Sequence, residues 1–180
     1  MDKAIVFIDG GYYAKVRRNV FNEPPIKLDK FSELLSSRHN CERIRTYFYD
    51  CMPYQSNPPT ADESWRTGQK NKFIYNMKKL PRFEFRAGRL QKIGTTFNQK
   101  GVDTLFSVDL VTYAYSGRID KAILVTGDSD FVPAIMAAKD AGTVVILYYS
   151  RGTGVYAHDE LLNAVDEKYE ITQEIINNSL

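Results

Sequence analysis

Four aspartates stand where the sequence could do chemistry. Asp9 closes the unbroken apolar run Ala4-Ile5-Val6-Phe7-Ile8, and Asp128 and Asp130 follow the apolar run from Lys121 to Thr126. Asp103 opens the stretch from Val102 to Tyr115. Carboxylates are hard oxygen donors. With no His or Cys beside them they suit Mg²⁺ or Mn²⁺ and not zinc. Four like charges gathered in a partly buried site would repel by several kcal/mol, a cost relieved by protonation or by a divalent cation. A cation so held can bind a phosphodiester and activate water. Each acid also has an ordinary structural role open to it. Asp128 or Asp130 could simply cap a helix, and Asp103 could favour a helix dipole. Asp9 is harder to dismiss, because an acid closing a buried strand is costly unless paired.

The acids need elements to bring them together. Continuous apolar runs at Ala4–Ile8, Lys121–Thr126 and Thr143–Tyr149 predict strands buried on both faces. The alternating runs Arg43–Tyr49 and Arg82–Leu90 predict two more, with a hairpin turn at Gly94-Thr95-Thr96. Helices are predicted over Tyr12–Arg18, Asp29–Ser36 (Asp29 as N-cap), Ala61–Leu80, Val102–Tyr115, Asp128–Ala141 and His158–Ala164, and a last short strand over Tyr169–Thr172. Strands alternating with helices mean an α/β fold: a three-layer α/β/α sandwich around a central, mainly parallel sheet. At 180 residues the expectation is one domain over 1–180. In such sheets function sits outside the carboxyl ends of the strands, at the switch in strand order. Asp9, Asp128 and Asp130 fall at that edge. Asp103 joins them if its helix runs antiparallel to the strands.

Composition narrows the class. The chain is 43% hydrophobic, with 11 Gly, 7 Pro and 2 Cys, which excludes fibrous, disordered and disulfide-scaffold proteins. No apolar run nears the roughly 18 residues of a membrane span, and the N-terminal run is too short for a secretion signal, so a cytoplasmic protein with reduced thiols is expected. A net charge of +2 conceals a segment from Arg66 to Lys100 with ten basic residues and a single acid, Glu84. Trp65, Phe73, Tyr75, Phe83, Phe85 and Phe97 interleave with these bases. That pattern can hold phosphates and stack bases, and it reads as a nucleic-acid contact slightly ahead of the solvated face that charge runs usually are.

Three stretches together resemble the NYN domain family, in the LabA-like branch of the PIN-like nucleases. They are Val6-Phe7-Ile8-Asp9-Gly10-Gly11, then Lys100-Gly101-Val102-Asp103 with Asp109 downstream, and Leu124-Val125-Thr126-Gly127-Asp128-Ser129-Asp130-Phe131-Val132-Pro133. Their order and spacing match over nearly the whole chain. The resemblance implies a PIN-like sandwich and Mg²⁺- or Mn²⁺-dependent cleavage of RNA, single-stranded above all. By position, Asp9, Asp103, Asp128 and Asp130 match the family's catalytic and metal-binding acids. Thr126 and Ser129 match small polar positions lining them, and Lys100 a basic position alongside. Tyr12 stands where the family usually carries an Asn, and its hydroxyl is a candidate for contacting a phosphate or water.

The remaining signals are weaker. Asp109 shares a helical stripe with Val102, Phe106 and Tyr113. It is either a further acid of the site or, by preference, a supporting carboxylate. Tyr12, Tyr13 and Trp65 are candidates for base stacking, with ordinary packing favoured for most aromatics. His39, Cys41 and Cys51 lack the partners of a zinc site, and His158 is isolated. Arg151-Gly152-Thr153-Gly154 lacks the Lys and spacing of a P-loop and reads as a mobile loop at the same edge. Three rivals remain. One is a PIN-like module that binds RNA without turnover. Another is a different phosphoryl enzyme, although the first strand ends in neither the Glu of a Toprim domain nor the Asp-x-Asp of a haloacid-dehalogenase phosphatase. The third is a purely structural or regulatory partner, with a homodimer through exposed apolar surface as one form.

Overall fold

The structure is a computed structural model that describes the backbone of residues 1–180 and all side chains except those of 89–93 and 96–100. Six parallel strands form the sheet: β1 (Asp2–Asp9), β2 (Cys41–Cys51), β3 (Phe83–Ile93), β5 (Lys121–Val125), β6 (Val144–Tyr149) and β7 (Glu167–Glu170). A seventh, β4 (Thr96–Lys100), returns antiparallel on β3, with Ile93 opposite Thr96 across the Gly94-Thr95 turn. The spatial order is β4-β3-β2-β1-β5-β6-β7. The chain winds outward from β1 through β2 and β3, then crosses back to β5 on the other side of β1. The switch in strand order therefore lies between β1 and β5.

Alternation within β1 divides the core. Ile5 and Phe7 face one layer, made by α4 (Val102–Tyr115), α5 (Val132–Asp140) and α6 (Asp159–Ala164). Ala4, Val6 and Ile8 face the other, made by α1 (Gly10–Phe21), α2 (Leu28–Ser37), α3 (Ala61–Lys78) and α7 (Gln173–Asn177). Residues 4–8 are all at most 1% exposed, which explains why the run is apolar without alternation. The expected three-layer sandwich is the observed fold.

Local departures have local causes. Helix α2 starts at Leu28, with Lys27 at the cap position, so Asp29 sits inside the first turn, where its charge favours the helix dipole. Instead of one helix from Asp128, Asp128 caps a single 3₁₀ turn (Ser129–Phe131) and α5 begins after it, with Pro133 in its first turn. The last strand lies two residues earlier than expected. It is an exposed edge strand, so burial writes no apolar pattern into it. Helix α3 begins with a capping box in which Thr60 and Glu63 satisfy each other's backbone N–H groups, and it ends before Pro81. Among the described residues no helix is long and apolar enough to cross a membrane. Cys41 and Cys51 are buried and not joined in a disulfide.

Candidate active site

Register places the first acid. Ile8 lies opposite Val125 in the β1–β5 pair, so Asp9 and Thr126 leave the sheet side by side. Asp9 also caps α1, its Oδ1 accepting the Tyr12 N–H at 3.0 Å. The helix can start this close to the sheet because residue 10 is glycine. A Cβ there would stand 2.7 Å from the Tyr49 carbonyl oxygen. Thr126 is fully buried; it donates from Oγ1 to Asp9 Oδ2 at 3.1 Å and accepts the Asp128 N–H at 3.2 Å. Asp128 Oδ1 in turn accepts the Asp130 N–H at 2.9 Å. A chain of hydrogen bonds thus fixes the acids after β1 and β5 relative to each other. Asp103 enters from the opposite layer, in the first turn of α4, which the backbone reaches through Gly101 at φ 88°. Glycine adopts that left-handed conformation without the penalty a Cβ brings.

Asp9, Asp103 and Asp128 line one cavity of about 440 Å³ at the switch point. Burial pushes the Asp9 carboxyl up from 3.8 to about 6, against the Tyr12 and Thr126 hydrogen bonds that lower it, and the charges of Asp103 and Asp128 add to the rise. The Asp103 carboxyl is also raised, by desolvation first and then by Asp128 and Asp130. No ion pair among the described residues neutralises any of these four acids. Nor, among the described residues, does any group of three His, Cys, Asp or Glu side chains close into an ion-holding cage. Asp9, Asp103 and Asp128 share the cavity wall, where like charges raise the Asp9 and Asp103 carboxyls. Their chemistry, oxygen donors only and short of positive charge, fits a hard divalent cation.

Not every expected residue lies inside this cavity. Ser129 lines it. Asp130 is exposed and does not form its wall. The side chain of Lys100 lies outside the described residues. Tyr12 lines the cavity with its ring, but its hydroxyl faces protein: it donates to the Val155 carbonyl at 2.9 Å and accepts the Ser150 N–H at 2.8 Å. Its burial pushes the phenol up to about 12, so it stays neutral. The expectation of a substrate contact through that hydroxyl gives way to a positioning role, because both of its hydrogen-bonding capacities are used by the segment after β6. The same bonds tie the flanks of 151–154, the segment expected to be a mobile loop, to Tyr12, and a Cβ on Gly152 would collide with Val20. Asp109 stands away from the cavity. It accepts from the Tyr49 hydroxyl at 2.9 Å and pairs with Arg86 at 3.2 Å, without hydrogen-bond geometry to the Arg86 Nε. Tyr13 is packed between Phe31 and Phe48 and is no stacking platform.

Four lining residues were not singled out for this site from sequence: Lys15, Val155, Tyr156 and His158. Lys15 was legible in principle, lying one helical turn beyond Tyr12 on a helix that starts at Asp9. Tyr156 and His158 arrive only because the tethered loop folds over the edge.

The basic segment is partly self-neutralised. Arg66 pairs with Asp62, Lys70 with Asp50, Arg82 with Glu42, and Arg86 with Glu84 and Asp109. Lys72, Lys78 and Lys79 are exposed on or beside α3, while Arg89, Lys92 and Lys100 lie outside the described side chains. Phe83 is buried, Phe73 and Phe85 pack against the core, and Trp65 and Tyr75 are exposed.

Comparison with known proteins agrees with this architecture. Among solved structures, a Vibrio parahaemolyticus protein of unknown function matches with a TM-score of 0.68 and 16% identity, over 96% of this chain and 94% of that one. At that identity the likeness establishes the fold alone. No curated protein matches. The model of the NYN domain matches residues 3–172, nearly the whole length, and an NYN domain implies a PIN-like nuclease fold. The chain belongs to the NYN domain family.

Proposed function

We propose that this chain is a ribonuclease that hydrolyses phosphodiester bonds of single-stranded RNA with the help of Mg²⁺ or Mn²⁺. The observation that carries this reading is the set of three unneutralised carboxylates facing one cavity at the switch point, one of them desolvated enough to keep its proton to about pH 6. Asp9, Asp103 and Asp128 would hold the cation, with Asp130 at the rim completing the set or taking the proton of the attacking water. When bound, such an ion withdraws charge from a phosphoryl oxygen and makes water easier to ionise. Thr126 holds the Asp9 carboxylate in one orientation. Asp9 would have to give up its proton to hold the cation, so binding would release protons below about pH 6. Lys15 and His158 are the cationic or hydrogen-bonding groups on the wall best suited to a phosphate. Tyr12 holds the 150–156 segment over them.

The test is cleavage of a labelled single-stranded RNA with Mn²⁺, Mg²⁺ or EDTA, using wild type beside Asp128→Asn. Cleavage that needs the metal and falls at least a hundred-fold in the variant supports the proposal. Equal cleavage by both proteins, or cleavage in EDTA, overturns it. The second reading is a module that binds RNA without turnover. One observation favours it: Tyr12, where the family usually has Asn, offers no free polar group to the cavity. Binding without cleavage under every metal condition would establish it.

A further inference from the structure

A second cavity, of about 350 Å³, lies on the opposite flank of α1 from the acids. Gly11 lines the acidic cavity and Gly10 lines this one, so the two adjoin across a single peptide link. The walls are unlike. Here the aromatic side chains of Tyr13, Phe48, Phe73 and Trp65 converge, with Arg17 and Lys70 among them. Tyr13 and Phe48 are buried core, but Trp65 is 64% exposed on the first turns of α3. Trp65 is the most open of the four rings. The cations are partly used: Lys70 pairs with Asp50, and Arg17 donates from Nη2 to the Pro24 carbonyl at 2.9 Å. The Arg17 Nε remains buried without a hydrogen-bond partner among the described residues. Lys72 and Lys78 project from the same helix into solvent.

We infer that this cleft is a nucleobase subsite. It takes one base of the RNA strand whose backbone crosses the N-terminus of α1 into the acidic cavity. The inference rests on the nuclease reading, because only a strand engaged at the acids reaches both cavities. Three features select a base over other occupants. The open Trp65 ring offers a flat stacking surface, Arg17, Arg66 and Lys70 bring positive charge to the wall, and the cleft adjoins the acidic cavity through the Gly10–Gly11 link. Trp65 stacks on the base, and the recognition is tolerant of base identity because every base presents a π face.

Trp65 is the only tryptophan, so its emission reports on the cleft directly. The full chain in EDTA is titrated with a short oligouridylate and with an abasic ribose-phosphate oligomer of equal length. The base-bearing oligomer should quench Trp65 and the abasic one should leave it unchanged. By anisotropy of the labelled oligouridylate, Trp65→Ala should weaken binding by roughly five- to a hundred-fold. The slope of log affinity against log salt should stay constant, because no phosphate contact is lost. Trp65→Phe should recover most of the affinity. Equal responses to the two oligomers, or unchanged affinity in Trp65→Ala, overturn the inference. Running the same oligouridylate with Mn²⁺ separates the two claims. Cleavage with a silent Trp65 removes the base subsite alone, whereas neither binding nor cleavage removes the nuclease reading with it.

Discussion

Asp9→Asn should make the protein more stable near neutral pH while removing its proposed activity. The folded Asp9 carboxyl keeps its proton up to about pH 6, against 3.8 for the ordinary group, chiefly because it is desolvated. The folded state therefore binds more protons than the unfolded chain between those values, and stability falls as pH rises through that window. Below about pH 4 the penalty is absent, and above about pH 6 it is complete. About two pH units at about 1.4 kcal/mol each make it about 3 kcal/mol. Asparagine has no charge to desolvate. Its Oδ1 still accepts the Tyr12 N–H, while the Thr126 hydroxyl loses its carboxylate acceptor, at about 1 kcal/mol. The net gain is about 2 kcal/mol at neutral pH, or roughly 4–8 °C in Tm for a chain of this size. Urea denaturation of both proteins across about pH 4 to 7.5 reads it. The gap should open between pH 4 and 6 and stay flat above. Added Mn²⁺ should then raise the wild type selectively, by mass action on its intact carboxylates. A variant less stable than wild type at neutral pH, or a gap that does not change with pH, would refute the account of Asp9 as a desolvated, unneutralised acid.

Two further substitutions separate scaffold from site. Tyr12→Phe leaves the buried Ser150 N–H without its acceptor, so it should cost about 1–3 kcal/mol in urea denaturation. Amide exchange should quicken across 150–156 and not in β1 or β5. Asp109→Asn should keep RNA cleavage within a few-fold of wild type, because Asp109 serves Arg86 and Tyr49 and does not line the acidic cavity. It should lower stability by about 1 kcal/mol, and a loss of cleavage as deep as that of Asp128→Asn would return Asp109 to the site.

Strands β1, β5 and β6 were legible because burial on both faces leaves one solution, a continuous run of apolar residues. The acids were legible for a related reason. A charge that ends such a run must sit at the sheet's edge, and parallel strands share that edge. What stayed hidden depends on distant contacts. Tyr12 and Ser150 are 138 positions apart, and no local pattern announces that a phenol on α1 will hold the segment after β6. Asp109 was correctly read as turning inward on α4, but its partner Arg86 comes from β3, two strands from the switch point. Helix α7 spans only Gln173–Asn177, too short for periodicity to mark.

The polar bonds at the switch point explain why the arrangement persists despite its repulsion. Thr126 accepts from the Asp128 backbone and donates to Asp9, so one buried hydroxyl sets the spacing of two acids on adjacent strands. Asp9 and Asp128 also cap the turns that follow them, through the Tyr12 and Asp130 N–H groups. These bonds stabilise the folded chain by about 1 kcal/mol each, and even with those from Tyr12 and Thr126 the Asp9 carboxyl stays raised to about 6. Structural capping alone would be served as well by Asn at position 9, without a charge to desolvate. On the proposed reading the carboxylate at position 9 serves a cation, and that reading accounts for a charged side chain where a capping amide would avoid the desolvation.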